Sequence, residues 1–344
     1  MKFFHFRMDD VSEGLAVEID GTARGLMTAD TAYPGTLDAL VRQGPSALFA
    51  AGKTLASGQI IDLATVKKLP PLRVPEKIIC VGLNYREHSA ESGFKQPDYP
   101  TLFSRFNSTL IGDGAPIVRP RVSVQLDYEG ELVAVIGRAG RNISVADALQ
   151  HVVGYSIFND ASIRDYQFKS PQWTIGKNFD DTGPFGPYLV TADELPAGGK
   201  DLRLQTRLNG KVVQEASTND MVFDVATLVS IISEAMTLRS GDIIVTGTPS
   251  GVGASRKPQL WMRPGDLVEV EIEKIGCLSN PIIEEAAGRT AIGSVKVHYP
   301  VMEEFDDRDP GIYSGEPQTG RTWNTFARPL PFFGPRSRGG AALL

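Results

Sequence analysis

The sequence predicts an α+β protein dominated by β-structure, a roll or sandwich rather than a parallel sheet wrapped in helices. Three observations carry this expectation. Short apolar runs suited to strands recur at 132–136, 153–158, 188–190, 202–208, 242–245 and 267–272. Helical periodicity in that stretch is confined to 145–150 and 225–236, so strands and helices do not alternate as a doubly wound sheet requires. Asn209-Gly210 stands between 204–208 and 211–213, and both residues tolerate the positive φ of a tight hairpin turn.

In chain order, residues 1–72 read as a small N-terminal domain. A strand at 17–19 meets the turn pair Asp20-Gly21, a helix follows at 37–49, and a second strand covers 60–63. Pro70, Pro71 and Pro75 then mark a boundary, because proline removes a backbone donor and restricts the residue before it. The apolar strand 77–82 opens the main domain, expected over 73–285. From 286 to 344 the texture turns to Gly, Pro and Arg. Trp323, Phe326, Phe332 and Phe333 argue for an irregular extension that packs on the body or on a neighbouring subunit; the alternative is an unstructured tail.

The 344 residues suffice for a large and a small domain. Composition is ordinary for a globular protein, 42% hydrophobic and 22% charged. A net charge of −6 with no basic stripe argues against a nucleic-acid partner. No run of 18 apolar residues occurs, so no membrane span is expected, and residues 1–7 lack the apolar core of a signal peptide. Two cysteines far apart, Cys80 and Cys277, fit a reducing cytoplasm better than a disulfide scaffold.

The chemistry concentrates at 126–137, Leu-Asp-Tyr-Glu-Gly-Glu-Leu-Val-Ala-Val-Ile-Gly. On a strand, residues two apart share a face, so Glu129 and Glu131 point together, with Asp127 on the same side. Carboxylates crowded beside apolar residues repel one another and resist desolvation, a conflict that a hard divalent cation resolves. Asp160 follows the next strand, and three carboxylates with open positions suit Mg²⁺ or Mn²⁺. A Glu-x-Glu pair also occurs on plain edge strands, and spacing alone does not separate the two readings.

His88 and Glu91 stand three apart just after the strand 77–82. If 86–92 is a helical turn they touch, and the carboxylate strengthens the imidazole as a base; a solvated turn is the bland alternative. His5, His151 and His298 have no comparable company and read as structural. Lys177 sits in a Gly- and Pro-framed loop at 176–187, where a lysine near a metal can stabilise an enolate; a surface turn is the other reading. The strand 244–246 runs into a Gly-rich loop containing Gly247 and Thr248, which offers N–H groups and a hydroxyl to an anion but lacks the lysine of a phosphate loop.

Taken together and in order, these segments resemble the fumarylacetoacetate hydrolase family, specifically its bacterial acylpyruvase-like branch. The motifs are Asn84-Tyr85-x-x-His88-x-x-Glu91, Asp127-Tyr128-Glu129-x-Glu131-Leu132, Asn159-Asp160-x-Ser162-x-Arg164-Asp165-x-Gln167, Gly176-Lys177-x-Phe179-Asp180 and Thr246-Gly247-Thr248-Pro249-x-Gly251-Val252-Gly253. The match spans about 73–285. The resemblance implies a mixed β-sandwich roll, a homodimer, and Mg²⁺ or Mn²⁺ at Glu129, Glu131 and Asp160. It puts Arg164 and Gln167 on the substrate carboxylate, with Lys177, Thr248, Tyr85, Gly247 and Arg105 as further contacts. His88 and Glu91 fall on a lid segment whose closure assembles the general base.

It further implies hydrolysis of a carbon–carbon bond in a 2,4-dioxo acid of the acylpyruvate or fumarylpyruvate type, giving pyruvate and a carboxylic acid. Oxaloacetate-type decarboxylation and keto–enol isomerisation through the same enolate are the alternatives. Three departures stand out. Arg105 replaces a lysine common in the family, which would alter the pocket rim. Asp181 stands where some members have threonine near the metal. The extension after 285 is long for the family.

Overall fold

The structure is a computed structural model that describes residues 1–287 apart from Asp10. Among the described residues the framework is one large sheet and one five-stranded sheet. In spatial order the large sheet runs Gln59–Ile60, Thr22–Met27, Glu13–Ile19, Lys2–Arg7, Gly183–Thr191, Val152–Asn159, Gly130–Ile136, Ile243–Val245, Ile78–Gly82 and Thr101–Arg105. The smaller sheet runs Lys211–Ser217, Arg203–Leu208, Leu267–Ile272, Gly276–Glu284 and Ile117–Arg119. Asn209 and Gly210, at φ 52° and 76°, make the expected two-residue turn between Arg203–Leu208 and Lys211–Ser217.

Gly130–Ile136 is buried along its whole length because both of its faces are covered. Leu132, Ala134 and Ile136 pack toward the smaller sheet, with Leu204, Val270 and Ile272. Val133 and Val135 pack on the other side with Leu37, Leu40 and Leu55 from the N-terminal helices. Side-chain alternation thus places one strand between two cores, which explains why it reads as a continuous apolar run. Burial of each Val or Leu contributes about 1.5–3 kcal/mol.

The first 72 residues do not form a separate body. Lys2–Arg7, a strand that sequence reading passed over, pairs with Gly183–Thr191 and joins the N-terminal strands to the central sheet. The helix expected over 37–49 is two helices, Leu37–Gln43 and Pro45–Ala56. Gly44 sits between them at φ 98°, and Pro45 lacks the N–H that continuation would need. The strand expected at 60–63 shortens to Gln59–Ile60, and the helix at 145–150 to a 3₁₀ turn, Ala148–His151. Val225–Ala235 forms as expected, capped by Asp224, whose carboxylate accepts from the Thr227 N–H at 2.9 Å. The aromatic extension from 288 onward lies outside the described residues.

His5 is buried in the N-terminal strand, and its Nε2 accepts the Leu37 N–H at 3.1 Å. Burial pushes the imidazole down from 6.5 to about 4, outweighing the nearby Asp38 carboxylate. The unfolded chain therefore takes up this proton at higher pH than the folded chain. The stability His5 supplies is complete above pH 6.5 and is lost as pH falls toward 4. A urea titration of wild type and His5→Gln should show the stability difference shrinking by about 2–3 kcal/mol between pH 7 and 4.5. A difference that stays constant over this range contradicts the buried neutral His5.

Candidate active site

Where Gly130–Ile136 begins, the ladder is interrupted at Tyr128 and Glu129. Leu126–Asp127 instead pairs with Ser162–Ile163 in a two-stranded sheet of its own. At the break the Glu129 N–H donates to Asn159 Oδ1 at 3.0 Å, and the Asp160 N–H donates to the Glu129 carbonyl at 2.9 Å. These bonds set Glu129 against Asp160. Glu131 follows, its Oε2 accepting the Gly247 N–H at 2.5 Å. Gly247 has φ 101°, and a Cβ there would lie 2.8 Å from Asn84 Cβ, so glycine is required for that approach. The ligand oxygens of Glu129, Glu131 and Asp160 lie within 4.8 Å of one another, all buried.

Two buried cations meet this trio. Lys177 Nζ stands 2.5 Å from Glu129 Oε2 and 2.6 Å from Asp160 Oδ2. Arg164 Nη2 lies 2.7 Å from Glu129 Oε1 and forms a buried ion pair with it. Burial pushes Glu129 up, but Arg164 and Lys177 outweigh it and hold the carboxyl at about 2. Burial also opposes the charge on Lys177, and Asp160 and Glu129 overcome it, so its pKa is raised. Glu131 differs: burial, then Asp160 and Glu129, drive it well above the usual carboxylate range. Among the described residues no cation pairs with it directly. Three hard oxygens with one charge left unmatched fit a divalent cation.

Asp127 does not join the trio, because the ladder break turns it away. It accepts from Arg164 Nε at 2.8 Å and from the N–H groups of Gly253 at 2.7 Å and Ala254 at 2.9 Å. Its task is to brace Arg164 and pin the Gly-rich loop. Arg164 Nη1 donates to Gln167 Oε1 at 2.9 Å, so these two residues reach the site as one unit. Both begin and end the short helix Arg164–Gln167.

His88 and Glu91 lie on the helix Arg86–Glu91, with His88 Nδ1 2.9 Å from Glu91 Oε1. The Glu91 carboxylate also accepts the Gly251 N–H, at 3.0 and 2.9 Å, and Ser250 Oγ donates to Glu87. The helix is thereby latched to the loop after Ile243–Val245. Gly251 lies at φ 103°, with its Cβ position 2.3 Å from the Val213 carbonyl oxygen, so no other residue fits this latch without a backbone shift.

One cavity of about 390 Å³ gathers His88, Glu91, Glu129, Glu131, Asp160, Arg164, Gln167, Lys177 and Thr248. Three expected contacts are elsewhere. Arg105 is buried behind Asp160, not on the rim; Nη1 donates to Asp160 Oδ1 at 2.5 Å and to the Ala161 carbonyl, and Nη2 to Thr182 Oγ1 at 2.8 Å. A lysine has no planar fork to span these acceptors. Tyr85 is buried, and its hydroxyl has no partner among the described residues. Gly247 acts through its N–H on Glu131. Asp181 is outside the cavity lining.

Some site residues escaped sequence reading. Gln214 Oε1 accepts from Gly130 N–H and Thr206 Oγ1, and its Nε2 donates to Thr248 Oγ1 at 2.9 Å, fixing that hydroxyl. Phe94, Phe103 and Trp173 form an aromatic wall, Trp173 edge-on to both phenylalanines. Neither carries a spacing signal. If the trio binds the cation, Glu131→Gln should weaken Mn²⁺ or Mg²⁺ binding at least tenfold by titration calorimetry; unchanged affinity would mean that the trio is not the ligand set.

Comparison with known proteins agrees with this geometry. The sequence profile of the fumarylacetoacetate hydrolase C-terminal region matches residues 77–283. A mitochondrial oxaloacetate tautomerase of Xenopus laevis is 39% identical over 289 residues, 82% of this chain and 90% of that protein. The solved fumarylacetoacetate hydrolase of Exiguobacterium antarcticum superposes with a TM-score of 0.72 at 36% identity, covering 83% of this chain and all of the other. The maleylpyruvate hydrolase of Sphingobium sp. SYK-6, solved with manganese(II) and pyruvate, gives 0.68 at 26% identity over the same shares. By profile, by relatives and by fold, this chain belongs to the fumarylacetoacetate hydrolase family.

Proposed function

We propose that this chain is a divalent-metal-dependent keto–enol tautomerase of short 2-oxo acids of the oxaloacetate type. The observation that carries it is a His–Glu base on the same cavity as the acidic trio and a buried ammonium. Sequence reading put carbon–carbon hydrolysis of an acylpyruvate first. The tautomerase relative, 39% identical across 82% of the chain, supports reversing that order.

Glu129, Glu131 and Asp160 would hold Mg²⁺ or Mn²⁺. When bound, the cation supplies Lewis-acid polarisation of the 2-oxo group. The chain's own residues do the rest. With Nδ1 engaged by Glu91, Nε2 is the His88 nitrogen left to act as the base. Nε2 takes a proton from the carbon beside the oxo group, and the electron pair moves to oxygen as the enolate. Lys177 has three N–H donors, two of them spent on Glu129 and Asp160, so one remains for the developing oxyanion. A proton from solvent on that oxygen completes the enol while His88 releases to solvent the one it took, and the reverse path returns a proton to carbon. The Arg164 guanidinium and the Gln167 amide, both on the cavity, receive the substrate's carboxylate.

Hydrolysis is the second reading, favoured by the likeness to maleylpyruvate hydrolase. There the same dyad deprotonates water instead of carbon. A homodimer and a cytoplasmic setting belong to this proposal as well; both thiols, Cys80 and Cys277, are unpaired. Among the described residues no helix is long and apolar enough to cross a membrane.

The test follows the ultraviolet absorbance of enol-oxaloacetate with Mg²⁺, Mn²⁺ or EDTA, while pyruvate is assayed with oxaloacetate, acetylpyruvate and fumarylpyruvate. Metal-dependent tautomer exchange without pyruvate is expected. Pyruvate from the acylpyruvates would move the assignment to hydrolase, and pyruvate from oxaloacetate to decarboxylase. His88→Ala should cost about 10²–10⁴ in rate, the usual worth of a general base. A loss below about tenfold contradicts His88 as base.

A further inference from the structure

We propose that Lys257, at the mouth of the cavity, binds the second carboxylate of the substrate and so selects 2-oxo diacids over 2-oxo monoacids. The inference rests on the 2-oxo acid reading above and identifies what sets specificity within it.

Charge matching leads to it. The buried centre holds four carboxylates, Asp127, Glu129, Glu131 and Asp160, against three cations, Arg105, Arg164 and Lys177. It is short of one positive charge. A divalent cation would overshoot by one, and a single substrate carboxylate restores balance. The centre is therefore matched to one carboxylate and has no positive charge left for another. A second carboxylate on the same molecule needs a cation farther out, clear of Glu91. The cavity lining offers one: Lys257 is exposed, and among the described residues it makes no hydrogen bond or ion pair. The remaining wall, including Phe94, Phe103, Phe168, Trp173, Ser92 and Ser255, is uncharged, so Lys257 is the outer cation of the lining.

The backbone under Lys257 is fixed. The Leu260 N–H closes the loop on the Gly253 carbonyl at 3.0 Å, and Gln259 Nε2 donates to the Ala254 carbonyl at 3.1 Å. A Cβ on Gly253 would sit 1.8 Å from the Leu260 oxygen, so this closure excludes any side chain there. The N–H groups of Gly253 and Ala254 bind Asp127, the carboxylate that also braces Arg164. One buried carboxylate thus anchors both the inner guanidinium and the loop that carries the outer ammonium. An exposed lysine gives a modest, salt-sensitive attraction, which discriminates between substrates without holding product tightly.

The test compares oxaloacetate with its C4 methyl ester, which lacks only the distal charge, using metal-loaded wild type, Lys257→Gln and Lys257→Arg. Wild type should favour the diacid about five- to tenfold in kcat/KM, carried by KM. Lys257→Gln should bring that ratio near one, Lys257→Arg should preserve it, and added KCl should narrow it in wild type. In parallel, calorimetric Kd values for 2-oxoglutarate and 2-oxovalerate, a pair that differs at the distal carboxylate, should show the same preference and the same loss. A ratio unchanged by Lys257→Gln in both assays overturns the proposal. If wild type turns over neither substrate, the tautomerase reading fails, and the ratio of Kd values still decides the role of Lys257.

Discussion

Moving Asp127, Glu129, Glu131 and Asp160 out of water costs several kcal/mol per ion unless each finds a cation or a set of N–H donors. The surrounding structure meets that demand unequally. Asp127 receives Arg164 and two loop N–H groups, Asp160 receives Arg105 and Lys177, and Glu129 receives Lys177 beside Arg164. Glu131 receives one backbone N–H, from Gly247. The deficit is thus localised on one oxygen pair among three that converge. A fold selected for stability alone would replace such a cluster with apolar side chains of similar size, often at no loss. Its presence beside a His–Glu pair is an argument for chemistry.

The same demand accounts for the local architecture. The ladder breaks at Tyr128 and Glu129, so that Asp127 and Glu129 serve different partners although they are two residues apart. Glycine stands where backbone must approach a carboxylate: Gly247 at Glu131, Gly251 at Glu91 and Gly253 beside Asp127. The two sheets and the N-terminal helices cover both faces of Gly130–Ile136, which holds the strand that delivers Glu131 rigidly. The helix Arg86–Glu91 is attached differently, through side-chain bonds of Glu87 and Glu91 to the loop at 250–251.

Much of this was legible in the sequence where the signal is local. The alternation of Glu129 and Glu131, Asp160 at the end of the next strand, the i, i+3 pair His88 and Glu91, and the Asn209-Gly210 turn all depend on neighbours a few residues away or on one adjacent strand. Long-range pairings were not legible. Lys2–Arg7 meets Gly183–Thr191 across some 180 residues, so the first 72 residues looked like a domain of their own. Arg105 was placed on the rim because position in a motif does not say which side of a carboxylate a guanidinium occupies; it lies behind Asp160. Gly44-Pro45 was a readable break that the apolar period obscured. Gln214 and Trp173 reach the site from separate segments with no shared spacing.

The account stands on the carboxylate trio as a cation site. The most direct measurement is the anomalous diffraction of manganese in crystals of the full chain soaked in Mn²⁺. The account predicts a single strong peak within ligand distance of Glu129, Glu131 and Asp160. Mn²⁺ bound elsewhere, or a trio left without Mn²⁺ at saturating concentration, would contradict it.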